Sequence, residues 1–212
     1  MSHGTYKTWD DFSLSKIFLG NAEGKREAAL EDFENFYYDH GNIATRLVKQ
    51  KTTLLLGAKG SGKTILAEYI KKTNTVGGTF VAIETFYEFQ FHNIVNYKSD
   101  DIGVNIYKPI WKWIILTLIA KQLLNDHSID SKETECLTTF FKKNYGSIDI
   151  KSKKIINNAK AIKCSLQVLS GEMSILETSG SYLDYLESME KTILYLLEKS
   201  EAKYILFFDE LD

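Results

Sequence analysis

The chain has 212 residues, of which 44% are hydrophobic, 25% charged and 13% aromatic. That composition suits one domain, or one large domain with an insertion, and excludes a disordered tail, a collagen or a low-complexity linker. The formal net charge of −2 exerts no global pull toward nucleic acid or anionic lipid.

Residues 1–20 mix aromatic and polar residues without clear periodicity, and no basic start followed by an apolar block marks a secretory signal. From Asn21 to Gly41, Ala28, Ala29, Phe33, Phe36 and Tyr37 recur at helical spacing, which predicts a helix stopped at Gly41. A short second helix is expected over Asn42–Gln50. Thr52–Leu56 then reads as a compact buried strand, Thr64–Lys72 as a helix, and Thr79–Ile83 as a second strand after the Gly77-Gly78 turn. The aromatic cluster Phe86, Tyr87, Phe89, Phe91 and Tyr97 is expected to pack inside.

The middle reads as helical over Tyr107–Leu124, Ser131–Lys143 and Asn157–Leu169. Ile110–Ala120 is the longest apolar stretch, but it falls short of the ~18 residues of a membrane span and carries Lys112. Ser131–Ser170 holds eight lysines against three acidic residues. This reads first as a solvated helix face, and second as a surface for an acidic partner or nucleic acid. Ser181–Lys199 is an amphipathic helix and Tyr204–Phe208 a third buried strand. The four histidines, His3, His40, His92 and His127, lack ligand spacing, and so do Cys136 and Cys164. Reduced thiols and a cytoplasmic location are the expectation.

The strongest local signal is Gly57-Ala58-Lys59-Gly60-Ser61-Gly62-Lys63-Thr64, a full match to G-x-x-x-x-G-K-[ST]. Glycines let the backbone curl so that successive N–H groups converge on one centre. The helix that starts near Gly62 adds free N–H groups and the positive end of its dipole, which suits phosphate. Lys63 can reach the β/γ oxygens, and the Thr64 hydroxyl can coordinate Mg²⁺. Lys59 has a weaker claim, since its side chain can simply be solvated.

Ile205-Leu206-Phe207-Phe208-Asp209-Glu210 places Asp209 at the carboxyl end of a strand, where ligands bind in open α/β sheets. A carboxylate there can hold the water shell of a magnesium ion opposite Thr64. Glu210 follows, where a base can polarise an attacking water. The expected cofactors are therefore ATP and Mg²⁺, with Lys63 and Glu210 as the catalytic pair.

These residues resemble the Walker A and Walker B motifs of a P-loop NTPase. Asp209-Glu210 resembles the additional-strand, catalytic-glutamate division, which contains the AAA+, STAND and KAP-like ATPases. Phe207–Asp212 is similar to the ending seen in bacterial STAND and KAP-like members. The motifs cover residues 57–64 and 207–212, and the order of elements extends the likeness over about half the chain. The resemblance implies an α/β fold with a P-loop parallel-sheet core of strand order 5-1-4-3-2. It also implies an ATPase acting as a switch or motor for a protein partner or for its own oligomer, with bacterial defence or signalling as the setting.

Thr64 and Asp209 lie 145 positions apart, so the expected division is a helical lead-in over 1–50, an NTPase core over 51–85 and 181–212, and a mainly helical insertion over 86–180. The sensor strand, arginine finger and lid of such families would follow Asp212. The expectation is thus a core incomplete after the Walker B strand, the N-terminal part of a longer protein, binding nucleotide with slow turnover on its own. Two alternatives stand beside the ATPase. A P-loop kinase would place the Walker B strand directly beside the Walker A strand, and needs no glutamate after Asp209. A nucleotide-binding module without turnover needs only the loop, Lys63, Thr64 and Asp209. A GTPase fits less well, because no N-K-x-D base reader is present.

Overall fold

The computed structural model describes residues 24–30, 33–49, 55–58, 60–73, 78–85, 94, 97 and 107–209. In chain order it contains α1 (Gly24–Ala28), α2 (Phe33–Phe36), a 3-10 turn (His40–Asn42), α3 (Ile43–Val48), α4 (Lys63–Thr73) and β1 (Thr79–Thr85). There follow α5 (Lys108–Leu123), α6 (Ser131–Tyr145), α7 (Ser152–Asn158), β2 (Ile162–Leu169), β3 (Glu172–Gly180), α8 (Tyr182–Lys199) and β4 (Lys203–Asp209). The architecture is α/β, with a small parallel sheet of β1 and β4 and a separate antiparallel hairpin of β2 and β3.

β1 and β4 run in register from Thr79 opposite Lys203 to Thr85 opposite Asp209. Along a strand consecutive side chains point to opposite faces, so each strand here serves two layers. Val81, Ile205 and Phe207 pack with Leu47 of α3 and with Leu66 and Ile70 of α4. Tyr204, Leu206 and Phe208 point the other way, into a larger core centred on α5. Helices on both faces are what a parallel sheet needs to bury its two apolar sides.

α5 enters with Pro109 in its first turn and is buried on nearly every side, through Ile110, Trp113, Ile114, Leu118 and Leu123. Its 16 residues include Lys112, paired with Glu190 at 2.5 Å, and Lys121, paired with Asp149 at 2.9 Å. Among the described residues no helix is long and apolar enough to cross a membrane. The same core continues through Ile155, Ile162 and Cys164 to Tyr182, Met189 and Ile193, with no seam near residue 180.

Three expectations need correction. The single helix over Asn21–Gly41 is instead α1 and α2, with a turn at Ala29 and a bend at Leu30 after α1, and residues 21–23 and 31–32 lie outside the described residues. Of the strand expected at Thr52–Leu56, residues 52–54 are likewise outside. Leu55 packs on the α3–α4 cluster, but Leu56 is 82% exposed, with no strand neighbour among the described residues to cover it.

The helix expected over Asn157–Leu169 is mostly β2, so the middle of the chain is not purely helical. Ile162, Leu166 and Leu169 do have helical spacing, yet Ile162, Cys164, Leu166 and Val168 also alternate. The alternation prevails because of the turn that follows. Ser170 (φ 53) and Gly171 (φ 80) both take left-handed backbone, which makes a two-residue turn matched to strand twist. β3 then returns beside β2, with Leu166 opposite Ile175. Leu169, which the helical reading would bury, is 62% exposed. α8 starts cleanly after the hairpin with a capping box between Ser181 and Asp184.

Candidate functional site

The loop at 57–62 and the start of α4 form one local unit. Gly60 and Gly62 have φ of 82° and 87°, a region that residues with a Cβ rarely occupy. A Cβ on Gly57 would collide with Ser61 Oγ and lie 3.3 Å from Ser61 Cβ, so a larger residue there would have to turn the Ser61 side chain away. Ser61 N donates to Ala58 O at 3.1 Å, and Leu66 N donates to Gly62 O at 2.9 Å, so helical bonding begins directly at the loop. The free N–H groups and positive dipole end of α4 therefore open toward the loop. Lys63 Nζ donates to Gly57 O at 2.7 Å and Ala58 O at 3.2 Å, folding its ammonium back over the curled backbone.

The second half of the site arrives from β4. Thr64 Oγ1 donates to Asp209 Oδ2 at 2.5 Å, joining residues 145 positions apart. Strand alternation explains the contact. Asp209 follows Ile205 and Phe207 at two-residue steps, so it emerges on the α4 face of the sheet. Gly57, Ala58, Gly60, Ser61, Gly62, Lys63, Thr64 and Asp209 are thus brought together. Lys59 and Glu210 lie outside the described residues.

For a divalent ion, Thr64 and Asp209 supply a hydroxyl and a carboxylate side by side. This donor set fits a hard cation whose other ligands come from phosphate and water. No group of three or more His, Cys, Asp or Glu able to hold a metal gathers among the described residues. His40 and His127 are exposed. Cys136 and Cys164 are free thiols, and burial pushes both above their ordinary range. That is the behaviour of packing residues rather than nucleophiles.

The structure adds residues that the sequence reading passed over, because it ended this strand at Ile83. Thr85 is opposite Asp209 in register and shares its face of the sheet. Glu84, one step earlier, points to the other face, where its Oε2 accepts from Ser152 Oγ at 2.6 Å. On that same face Trp111 meets the Phe208 ring edge-on at 6.4 Å. The signal in the sequence was the polar pair Glu84-Thr85 after Phe80–Ile83, a strand end like that at Asp209. Scans against family models, curated proteins and solved structures give no match to this chain, so its own geometry carries the functional argument.

Proposed function

We propose that this chain is a P-loop nucleotide-binding module that takes ATP with Mg²⁺ at Gly57–Thr64 and Asp209. The observation that carries the reading is the hydrogen bond between Thr64 and Asp209 across 145 positions. A Gly-rich strand–helix turn with no ligand gives no reason for its Thr to meet a carboxylate at the end of a distant strand. A phosphate loop with a metal site does. In this reading the loop N–H groups and the α4 dipole hold the phosphates, and Lys63 exchanges its carbonyl partners for β/γ oxygens. Thr64 and Asp209 hold the cation, which neutralises phosphate charge when bound.

Hydrolysis, with Glu210 polarising water, and a role as a switch or motor for a protein partner extend the same proposal. The β1–β4 pairing is common to the strand orders of both P-loop divisions, so the ATPase is preferred to the kinase on Glu210 alone. Calorimetry with Mg·ATP tests the site. Lys63→Ala removes a charge-assisted contact of about 1.5–3 kcal/mol and is expected to weaken binding roughly tenfold to a hundredfold. Unchanged affinity would remove the assignment.

A further inference from the structure

Of the eight lysines of Ser131–Ser170, all but Lys142 fall into two groups in the fold. Lys132 and Lys143 of α6 reach β3 and pair with Glu172 at 3.1 Å and Glu177 at 2.6 Å. From Ile150 to Gly171, by contrast, the chain contains no Asp or Glu. Lys151, Lys153, Lys154, Lys160 and Lys163 in that stretch are all exposed. Lys153, Lys154 and Lys163 make no ion pair among the described residues, while Lys160 stands 5.0 Å from the Tyr97 ring centroid.

Asn144 at the end of α6 holds this segment in place. Its backbone oxygen accepts from Asn158 Nδ2 at 2.8 Å, and its Oδ1 accepts from Lys163 N at 2.8 Å. The end of α7 and the start of β2 are thereby fixed against α6. Of the apolar residues among the lysines, Ile155, Ile156, Ala159 and Ile162 are at most 1% exposed, which leaves the methyl of Ala161 as the exposed one. Among the described residues the surface offers positive charge on a fixed backbone and no large apolar anchor, on a chain whose net charge is −2.

We propose that α7 and the α7–β2 connection form a docking surface for the phosphate backbone of a nucleic-acid duplex. Lysines act on phosphates as point charges and gain affinity by releasing condensed counterions. Stable membrane docking adds inserted apolar side chains to such charge, and a stable peptide interface adds a buried aromatic or aliphatic anchor. Neither is offered here. Single strands are held largely by stacking on aromatic rings, and Tyr97, the ring at this surface among the described residues, is 8% exposed with its hydroxyl bonded to Ile156 O. Ser152, between Lys151 and Lys153, is bonded to Glu84 one residue before the Thr85–Asp209 pair. The surface therefore begins at the sheet edge that carries the candidate nucleotide site, although the proposal stands without that site.

Fluorescence anisotropy with a labelled DNA duplex of about 20 base pairs, titrated with the full chain between about 50 and 200 mM salt, tests this. Wild type is expected to bind with a Kd of about 10⁻⁴–10⁻⁶ M near physiological salt, and more tightly toward the low end of the range. Replacing Lys153, Lys154 and Lys163 together by Ala is expected to cost at least about tenfold and flatten the salt slope by about one per lysine in contact. Lys191→Ala on α8, an exposed lysine away from this segment, should change neither. Absence of duplex binding at low salt, or an unchanged slope in the triple variant, overturns the proposal. Tighter binding of a single strand, polyglutamate or anionic vesicles, lost in the same variant, overturns the duplex as occupant.

Discussion

Asp209 is expected to do two separable jobs, and two substitutions divide them. In the structure its carboxylate accepts from Thr64 Oγ1 at 2.5 Å in a half-buried setting that ties α4 to β4. A hydrogen bond to an ionised group contributes about 1.5–3 kcal/mol when well buried, so partial exposure places this one near about 1–2 kcal/mol. Asp209→Ala removes the acceptor and should lower Tm by about 2–8 °C for a chain of this size. Asp209→Asn keeps an acceptor oxygen but loses the charge, and should lose about half as much. Nucleotide binding should rank the variants differently. Both lack the carboxylate, so both should lose roughly tenfold or more in affinity for Mg·ATP, by the usual worth of a charged contact. Metal-free ATP should bind no worse than to wild type, because a negative charge near the phosphates has gone. Thermal melts, with calorimetry in Mg²⁺ and in EDTA, read the two effects apart. A wild-type Tm for Asp209→Ala would refute the structural bond. Retained Mg²⁺ dependence in both variants would refute the cation role.

Much of this candidate site was legible because the proposed phosphate chemistry would constrain local sequence tightly. Gly57–Thr64 specifies backbone shape, helix start and cation within eight consecutive residues, and the local geometry follows that pattern. Asp209 was legible for a different reason, as the first acid after an apolar strand. The contact between Asp209 and Thr64 could be expected only through resemblance, since neither residue carries information about the other across the intervening chain. The β2–β3 hairpin was missed because period two and period 3.6 coexist in Ile162–Leu169, and the deciding residues, Ser170 and Gly171, lie just beyond that window. The lysine excess was legible as a count but not as a surface. Which lysines are neutralised depends on Glu172 and Glu177, placed beside α6 by the hairpin that the sequence reading did not foresee.

Two further predictions follow from residues outside the loop. Asp126 is 7% exposed, and burial alone would raise its carboxyl, but hydrogen bonds from Ser200, Tyr204 and Ser128 outweigh burial and bring it from 3.8 to about 2. A carboxyl depressed in the folded state stabilises the fold above its unfolded value, and that contribution disappears as pH falls through its folded value. The depression corresponds to about 2 kcal/mol. Asp126→Asn should therefore be less stable by about that amount at neutral pH in urea denaturation, with the gap closing as pH falls below about 4; a gap that stays constant into acid would refute it. The last prediction uses the alternation of β4. Asp209 and Phe208 are adjacent, so strand geometry sends one to the nucleotide face and the other to the α5 face, where Trp111 lies edge-on at 6.4 Å. A displacement of Asp209 toward a bound cation must be taken up by the same stretch of backbone that holds Phe208, and Trp111 is the tryptophan in ring contact with Phe208 among the described residues. Trp113, also on α5, is fully buried against Phe140 and Tyr182 and does not touch β4's end in this way. In a Trp9→Phe background, which removes the third tryptophan of the chain, Mg·ATP should thus change tryptophan emission with Trp113→Phe added but not with Trp111→Phe added. A nucleotide-dependent signal that survives Trp111→Phe would show that the two faces of β4 are not coupled through Phe208.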